Sequence, residues 1–287
     1  MSPDRPLVAF AYDFDGTLAP GHMQNHAFIP DELGMDRAQF WAEVNALAKA
    51  QRGDEILAYM HLMLAKARER GLELSLESWR RRGASLKLFA GVEDWFGRQN
   101  ARAADLGLDL RHFIISSGNR ELIEGSPIAH HFERIYASAF MFDAQQDAVG
   151  VALGVNYTSK TQFLFRINKW TLEEWDNLAV NRAQVKEDRP VPFDRIAYFG
   201  DGFTDIPTMR LVTDQGGYAI AVYDEGDAAS EAAALSLRKD GRAHLAGPGD
   251  YREGASLDNL AAAMLAEIAA RTHARNLVKW PDGQTGA

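Results

Sequence analysis

The chain has 287 residues, 46% hydrophobic and 25% charged, an ordinary globular balance with room for one large domain or a domain plus an insertion. Its net charge of −9 opposes phosphate backbones, so general nucleic-acid binding is not expected. It holds no cysteine, which excludes disulfides, thiolate catalysis and cysteine-based zinc sites and fits a reducing compartment.

The start, "MSPDRP", lacks the basic-then-apolar pattern of a signal peptide, and no stretch is long and apolar enough to span a bilayer. A cytoplasmic protein with no membrane partner is expected. Residues 7–12, "LVAFAY", read as a fully buried strand that runs straight into Asp13, Phe14, Asp15, Gly16 and Thr17. Residues 19–88 then carry helical periodicity and no convincing strand. Phe40, Val44 and Leu47 share one face of a helix near 37–51; Ile56, Met60, Met63 and Leu64 share one near 54–70. Gly53 and Asp54 read as a stop followed by an N-cap, and Trp79, Leu86 and Phe89 suggest a third helix. Gly91 opens another helix that ends at Gly107.

Apolar strands follow in "HFIISSG" from His112 and "ERIYASAF" from Glu133, and "FMFDAQQDAVGVALGVNY" reads as strand, turn and strand. "KTQFLFRINKW" from Lys160 has the apolar face of a helix in Phe163, Leu164, Ile167 and Trp170. Two more strands are "RIAYFGDG" from Arg195 and "GYAIAVYD" from Gly217, and "LDNLAAAMLAEIAARTHA" is an amphipathic helix. The terminal "WPDGQTGA" is expected to fray. Continuous apolar strands separated by helices imply an α/β fold with a parallel sheet covered on both faces.

Asp13 and Asp15 at a strand end repel each other, a conflict that a divalent cation removes. Asp and Gly also form turns, so this stretch alone is weak. It is echoed by "YFGDGFTDIP", where a strand ends at Gly200 and is followed by Asp201, Gly202 and Asp205. Two acid-tipped strands of one sheet can converge on one metal at the carboxyl ends, where open α/β sheets bind ligands. Ser116, Ser117 and Gly118 offer hydroxyls and amides that suit a phosphate, or equally a helix N-cap. Lys160 at a helix start opposes the helix dipole, which an anionic partner would explain; an exposed surface lysine is the alternative.

Together these segments resemble the haloacid dehalogenase superfamily. "DFDGTL", "IISSG", Lys160 and "GDGFTD" match its four motifs in order, and the resemblance covers roughly residues 7–18 and 89–225. It implies a Rossmann-like core of residues 1–18 and 89–287 with an inserted helical C1 cap of residues 19–88. The run from Ala90 to Gly118 also resembles the phosphoserine phosphatase branch.

The resemblance further implies that Asp13 is the nucleophile and forms an aspartyl-phosphate. It makes Asp15 the general acid and then the base. Mg²⁺ would be held by the Asp13 carboxylate, the Asp15 carbonyl and Asp201, with Asp205 behind them or on the metal. Ser116, Ser117 and Lys160 would hold phosphate oxygens. An acid at position 15 speaks against halide release and for hydrolysis of a small-molecule phosphomonoester by a Mg²⁺-dependent phosphatase. A phosphotransferase or phosphomutase would use the same intermediate, and a non-enzymatic binding protein on this scaffold would be expected to lose one of the aspartates.

In the phosphoserine phosphatases a glutamate stands nine residues after the nucleophile; here that residue is His22, with His26 close by. A neutral or anionic leaving group is therefore expected, with His22 either in contact with it or merely on the surface. Arg80, Arg81 and Arg82 could attract an anion, but three consecutive helical residues point in different directions and read as a solvated face. The sequence assigns no oligomeric state.

Overall fold

The structure is a computed structural model that describes residues 5–25 and 28–278. His26 and the terminal "WPDGQTGA" lie outside the described residues. Seven strands form one sheet in the order β4-β3-β2-β1-β5-β6-β7. They are β1 (Leu7–Tyr12), β2 (Asp109–Asn119), β3 (Phe132–Phe142), β4 (Ala148–Leu153), β5 (Ile196–Gly200), β6 (Tyr218–Tyr223) and β7 (Leu245–Pro248). All neighbours pair in parallel except β3 and β4, the expected hairpin. On β1 the side chains alternate between faces: Val8, Phe10 and Tyr12 join one apolar cluster, and Leu7, Ala9 and Ala11 the other. A strand buried on both faces thus needs no polar residue until it ends.

The helices of the 19–88 excursion are α1 (Arg37–Gln51), α2 (Glu55–Glu69) and α3 (Leu76–Gly83). Asp54 caps α2 by accepting from the Ile56 and Leu57 amides, as expected. The left-handed residue that ends α1 is Arg52 rather than Gly53. The third helix stops at Gly83, short of Leu86 and Phe89. A Cβ on Gly83 would stand 1.9 Å from the Leu122 carbonyl oxygen, and one on Gly125 would stand 1.7 Å from that of Arg80. Here α3 meets α5 (Arg120–Glu124) backbone to backbone, which only glycine permits. The excursion starts and ends at neighbouring points, for the Phe89 amide donates to the Leu18 carbonyl at 2.9 Å. The three arginines of α3 reach three different acids: Arg80 to Glu124, Arg81 to Glu73 and Arg82 to Glu32.

The remaining helices are α4 (Val92–Asp105), α6 (Lys160–Lys169), α7 (Asn177–Asn181), α8 (Ile206–Asp214), α9 (Ala228–Lys239) and α10 (Ser256–Val278). Side chains of α4, α5 and α10 pack with those of α1–α3 on one face of the sheet, and side chains of α6, α8 and α9 cover the other. No helix among the described residues is long and apolar enough to cross a membrane.

A polar chain threads the first of these layers. Trp95 Nε1 donates to the Tyr12 hydroxyl at 2.9 Å, which faces His112 Nδ1 at 3.1 Å, while His112 Nε2 faces Asn100 Oδ1 at 3.0 Å. The tyrosine oxygen already accepts from tryptophan, so its proton points at Nδ1 and His112 is the neutral Nε2–H tautomer. Burial pushes its pKa from 6.5 down to about 3, with the neighbouring His131 adding to the effect. The unfolded chain therefore binds a proton that the native state refuses, and stability falls as pH drops below 6.5. By linkage this histidine alone lowers stability by about 2 kcal/mol at pH 5. Urea unfolding of the wild type and His112→Gln at pH 7 and pH 5 checks this. The variant is expected to lose about 2 kcal/mol less between the two; an equal loss would contradict the assignment.

Candidate active site

Register builds the site. Tyr12 pairs with both Ile114 and Phe199, so β1 and β5 end nearly level while β2 runs on past them to Asn119. The residues that follow are Asp13 and Asp15 after β1 and Asp201 after β5, while Ser116 and Ser117 lie in the last part of β2. The Asp13 amide donates to the Phe199 carbonyl at 2.8 Å, which joins the two acid-bearing tips directly.

Lys160 is completely buried at the first position of α6, which removes the surface-lysine alternative. Its Nζ donates to Asp13 Oδ2 and to Asp205 Oδ1, both at 2.7 Å. Burial opposes its charge, but the two carboxylates outweigh that and raise its pKa above the usual lysine range. Asp205 has no capacity to spare. Oδ1 also accepts from the Tyr198 hydroxyl at 2.5 Å, and Oδ2 accepts from the Asp201 and Gly202 amides at 3.1 and 3.3 Å. It is a fixed brace for Lys160 and for the 200–205 loop.

Carboxylate oxygens of Asp13, Asp201 and Asp205 all lie within 4.8 Å of one another. Burial pushes the Asp13 pKa up to about 6, with Lys160 opposing and Asp205 adding to the shift. Asp201 is raised well above the carboxylate range by burial, then by Asp205 and Asp13. One ammonium does not neutralise three carboxylates, and a hard divalent cation fits the excess. Asp13 and Asp201 are the carboxylates left to meet it, since Asp205 is saturated. Gly16 matters here: it sits at φ +70°, and a Cβ on it would stand 2.2 Å from Asp201 Oδ2.

Asp15 does not join that group. Its Oδ1 accepts from the Met23 amide at 2.9 Å, and Oδ2 lies 3.9 Å from His22 Nδ1. The His22 side chain is 64% exposed, and the nearby Asp15 raises its pKa. Its ring lies 5.8 Å from that of Trp41. Ser116 is buried and its Oγ accepts from the Gly118 amide at 3.1 Å. Ser117 Oγ is buried without a partner. Neither serine caps a helix, because Asn119 caps α5 by accepting from the Leu122 amide at 3.0 Å.

Asp13, Asp15, His22, Ser116, Ser117 and Asp201 all line one cavity of about 680 Å³, while Lys160 and Asp205 stand directly behind Asp13 and the three arginines of α3 lie elsewhere. Tyr198, Tyr59 and Trp41 were not anticipated. Tyr198 supports Asp205, the Tyr59 hydroxyl donates to the Ser117 carbonyl at 2.8 Å, and Trp41 lines the cavity. A hydroxyl inside the apolar run of β5 was the available signal for Tyr198.

A mostly parallel sheet with helices on both faces, carrying a carboxylate and lysine centre at the carboxyl ends of its middle strands, defines a Rossmann-like hydrolase core. The chain belongs to the haloacid dehalogenase-like hydrolase family, which it matches over residues 10–210. A Borreliella burgdorferi protein described only as uncharacterized is 30% identical over 238 residues, 75% of this chain and 81% of that one. The fold is similar to that of a haloacid dehalogenase family hydrolase from Salmonella enterica serovar Typhi, with a TM-score of 0.57 at 15% identity over 93% of this chain and 73% of that one. It is also similar to a substrate-bound phosphoserine phosphatase, with a TM-score of 0.52 at 14% identity over 84% of this chain and 93% of that one.

Proposed function

We propose that the protein is a Mg²⁺-dependent phosphatase that hydrolyses small-molecule phosphomonoesters through an aspartyl-phosphate on Asp13. The observation that carries this reading is Lys160, buried and bonded to both Asp13 and Asp205 beside Asp201. A buried cation held behind carboxylates that line a cavity suits phosphoryl transfer, because its barrier is lowered by positioning and charge neutralisation.

In this reading the Asp13 carboxylate attacks phosphorus in line and the bond to the leaving oxygen breaks. Asp15, held by the Met23 amide, gives its proton to that oxygen. The alcohol departs. Asp15 then takes a proton from water, which attacks phosphorus, restores the Asp13 carboxylate and frees inorganic phosphate. Ser116, Ser117 and Lys160 hold phosphate oxygens. Asp13, the Asp15 carbonyl and Asp201 would hold Mg²⁺, which when bound supplies charge neutralisation for the phosphate. Asp205 acts through Lys160 and the loop amides. Residues 19–88 serve as a cap over the leaving group of a core formed by 1–18 and 89–287.

The test is hydrolysis of an aryl phosphate by the purified protein. Activity is expected with Mg²⁺, a near-complete loss with excess chelator, and full recovery when Mg²⁺ is restored. Full activity in chelator would contradict the assignment. Running the assay with and without an acceptor alcohol separates hydrolysis from transfer.

A further inference from the structure

The walls of the cavity beyond Asp15 say what kind of leaving group it takes. They weigh against the anionic half of the neutral or anionic leaving group anticipated from His22. Besides the catalytic aspartates, Glu55, Asp224 and Asp227 line the cavity, and no lysine or arginine does so among the described residues. Lys160 stands behind Asp13, and His22 Nδ1 lies 3.9 Å from Asp15 Oδ2. A leaving group bearing a carboxylate or second phosphate would meet three carboxylates there, with His22 the one side chain able to carry a positive charge among the described residues of the lining.

Two of these acids have structural tasks. Asp224 Oδ1 accepts from the Gly226 amide, and Asp227 Oδ1 caps α9 through the Ala229 and Ser230 amides. Glu55 is different. It is the first residue of α2, where the helix dipole tolerates its charge, and its carboxylate forms no hydrogen bond or ion pair among the described residues. Of these three acids it is the lining carboxylate left without a partner among the described residues.

Three aromatic side chains, Trp41, Tyr59 and Tyr157, share this lining, and the first two are held by hydrogen bonds. Trp41 Nε1 donates to Asn25 Oδ1 at 3.1 Å, and its ring lies 5.8 Å from that of Tyr59, itself held by the Ser117 carbonyl. Tyr157 closes the Glu55 side. The adjacent Asn156 donates to Asp54 Oδ2 at 2.8 Å, tying the Tyr157 loop to the start of α2. Tyr157 and Glu55 line the same cavity, and burial raises the Tyr157 phenol, with the Glu55 and Asp54 carboxylates adding to the shift. Aromatic faces and an unpaired carboxylate share one preferred guest, an organic cation.

Resting on the phosphatase reading above, we propose that the leaving group is an alcohol carrying an alkylated ammonium, received by Trp41, Tyr59 and Tyr157 with Glu55 as its counter-charge. The phosphate end sits at Asp13 and Lys160, and the cationic end lies on the cap side of the cavity. The ester oxygen between them faces Asp15.

Three esters test this: choline phosphate, its neutral isostere dimethylbutyl phosphate with carbon in place of nitrogen, and carboxyethyl phosphate. The wild type is expected to show kcat/KM at least about tenfold higher for choline phosphate than for the isostere, and lowest for the carboxylate ester. The choline-to-isostere ratio should fall toward one in Glu55→Gln and in Trp41→Leu, variants whose folding is checked by circular dichroism. A ratio of one in the wild type, a preference for the carboxylate ester, or a ratio unmoved in both variants would overturn the proposal. Aryl phosphate hydrolysis run alongside separates the two readings: turnover of aryl phosphate with a ratio of one sinks only the ammonium pocket. If no ester is hydrolysed, the phosphatase reading falls, and calorimetric titration with choline decides the pocket by itself. Binding that weakens in Glu55→Gln supports it, and no binding overturns it.

Discussion

Asp13→Asn is expected to abolish turnover, on the order of the 10⁶-fold loss that follows removal of a covalent nucleophile. A carboxamide is nearly the same shape but a far weaker nucleophile. The fold should survive. The Phe14 amide, which donates to Asp13 Oδ1 at 2.7 Å, keeps an acceptor in asparagine. Lys160 keeps Asp205. Removing one partner of an isolated buried ion pair costs about 3–5 kcal/mol, because a charge is stranded. Here Lys160 pairs with both Asp13 and Asp205 and Asp201 adds a third carboxylate beside them, so losing one relieves repulsion instead. Steady-state assays and thermal unfolding of the same preparation check both halves. More than a trace of activity would mean that another group attacks.

Asp15→Asn should fail differently. The Asp15 main-chain carbonyl is retained, and asparagine still offers Met23 an acceptor, so Mg²⁺ binding is expected to persist. What disappears is the proton donor and base, worth about 10²–10⁴-fold in rate. An alkyl oxygen needs a proton as it leaves, whereas nitrophenolate departs without one. Phosphoryl transfer from an alkyl phosphate should therefore slow far more than transfer from p-nitrophenyl phosphate. Hydrolysis of the aspartyl-phosphate should slow for both. Rapid-quench measurement of the transfer step is the check, since slow dephosphorylation would limit steady-state turnover equally for the two esters. Equal slowing of transfer would show that Asp15 is not the acid.

The carboxylates were legible because a buried strand has no reason to end in paired acids, and two strands do so in this chain. The strands themselves were legible because parallel pairing buries both faces and leaves continuous apolar runs. Lys160 was ambiguous in sequence and is settled by burial, since its helix start lies against Asp13 and Asp205. β7 went unread because it has four residues and an edge position, too short to show periodicity. The third helix was overextended because Leu86 and Phe89 keep its spacing while packing from the loop that follows. The leaving-group walls were not legible at all. Trp41, Glu55, Tyr157, Asp224 and Asp227 come from segments far apart in the chain, and only the fold sets them around one cavity. From His22 alone the expected leaving group was neutral or anionic; the Glu55, Asp224 and Asp227 carboxylates that weigh against an anion lie far from it in sequence.

The most direct test of the account is to find the phosphoryl group on the enzyme. Asp15→Asn protein mixed with Mg²⁺ and p-nitrophenyl phosphate, quenched in acid and digested, should yield a phosphorylated peptide whose modified residue, mapped by mass spectrometry, is Asp13. Asp13→Asn treated in the same way should yield none. Phosphate on any other residue, or turnover by the wild type with no trappable phosphoenzyme, would contradict it.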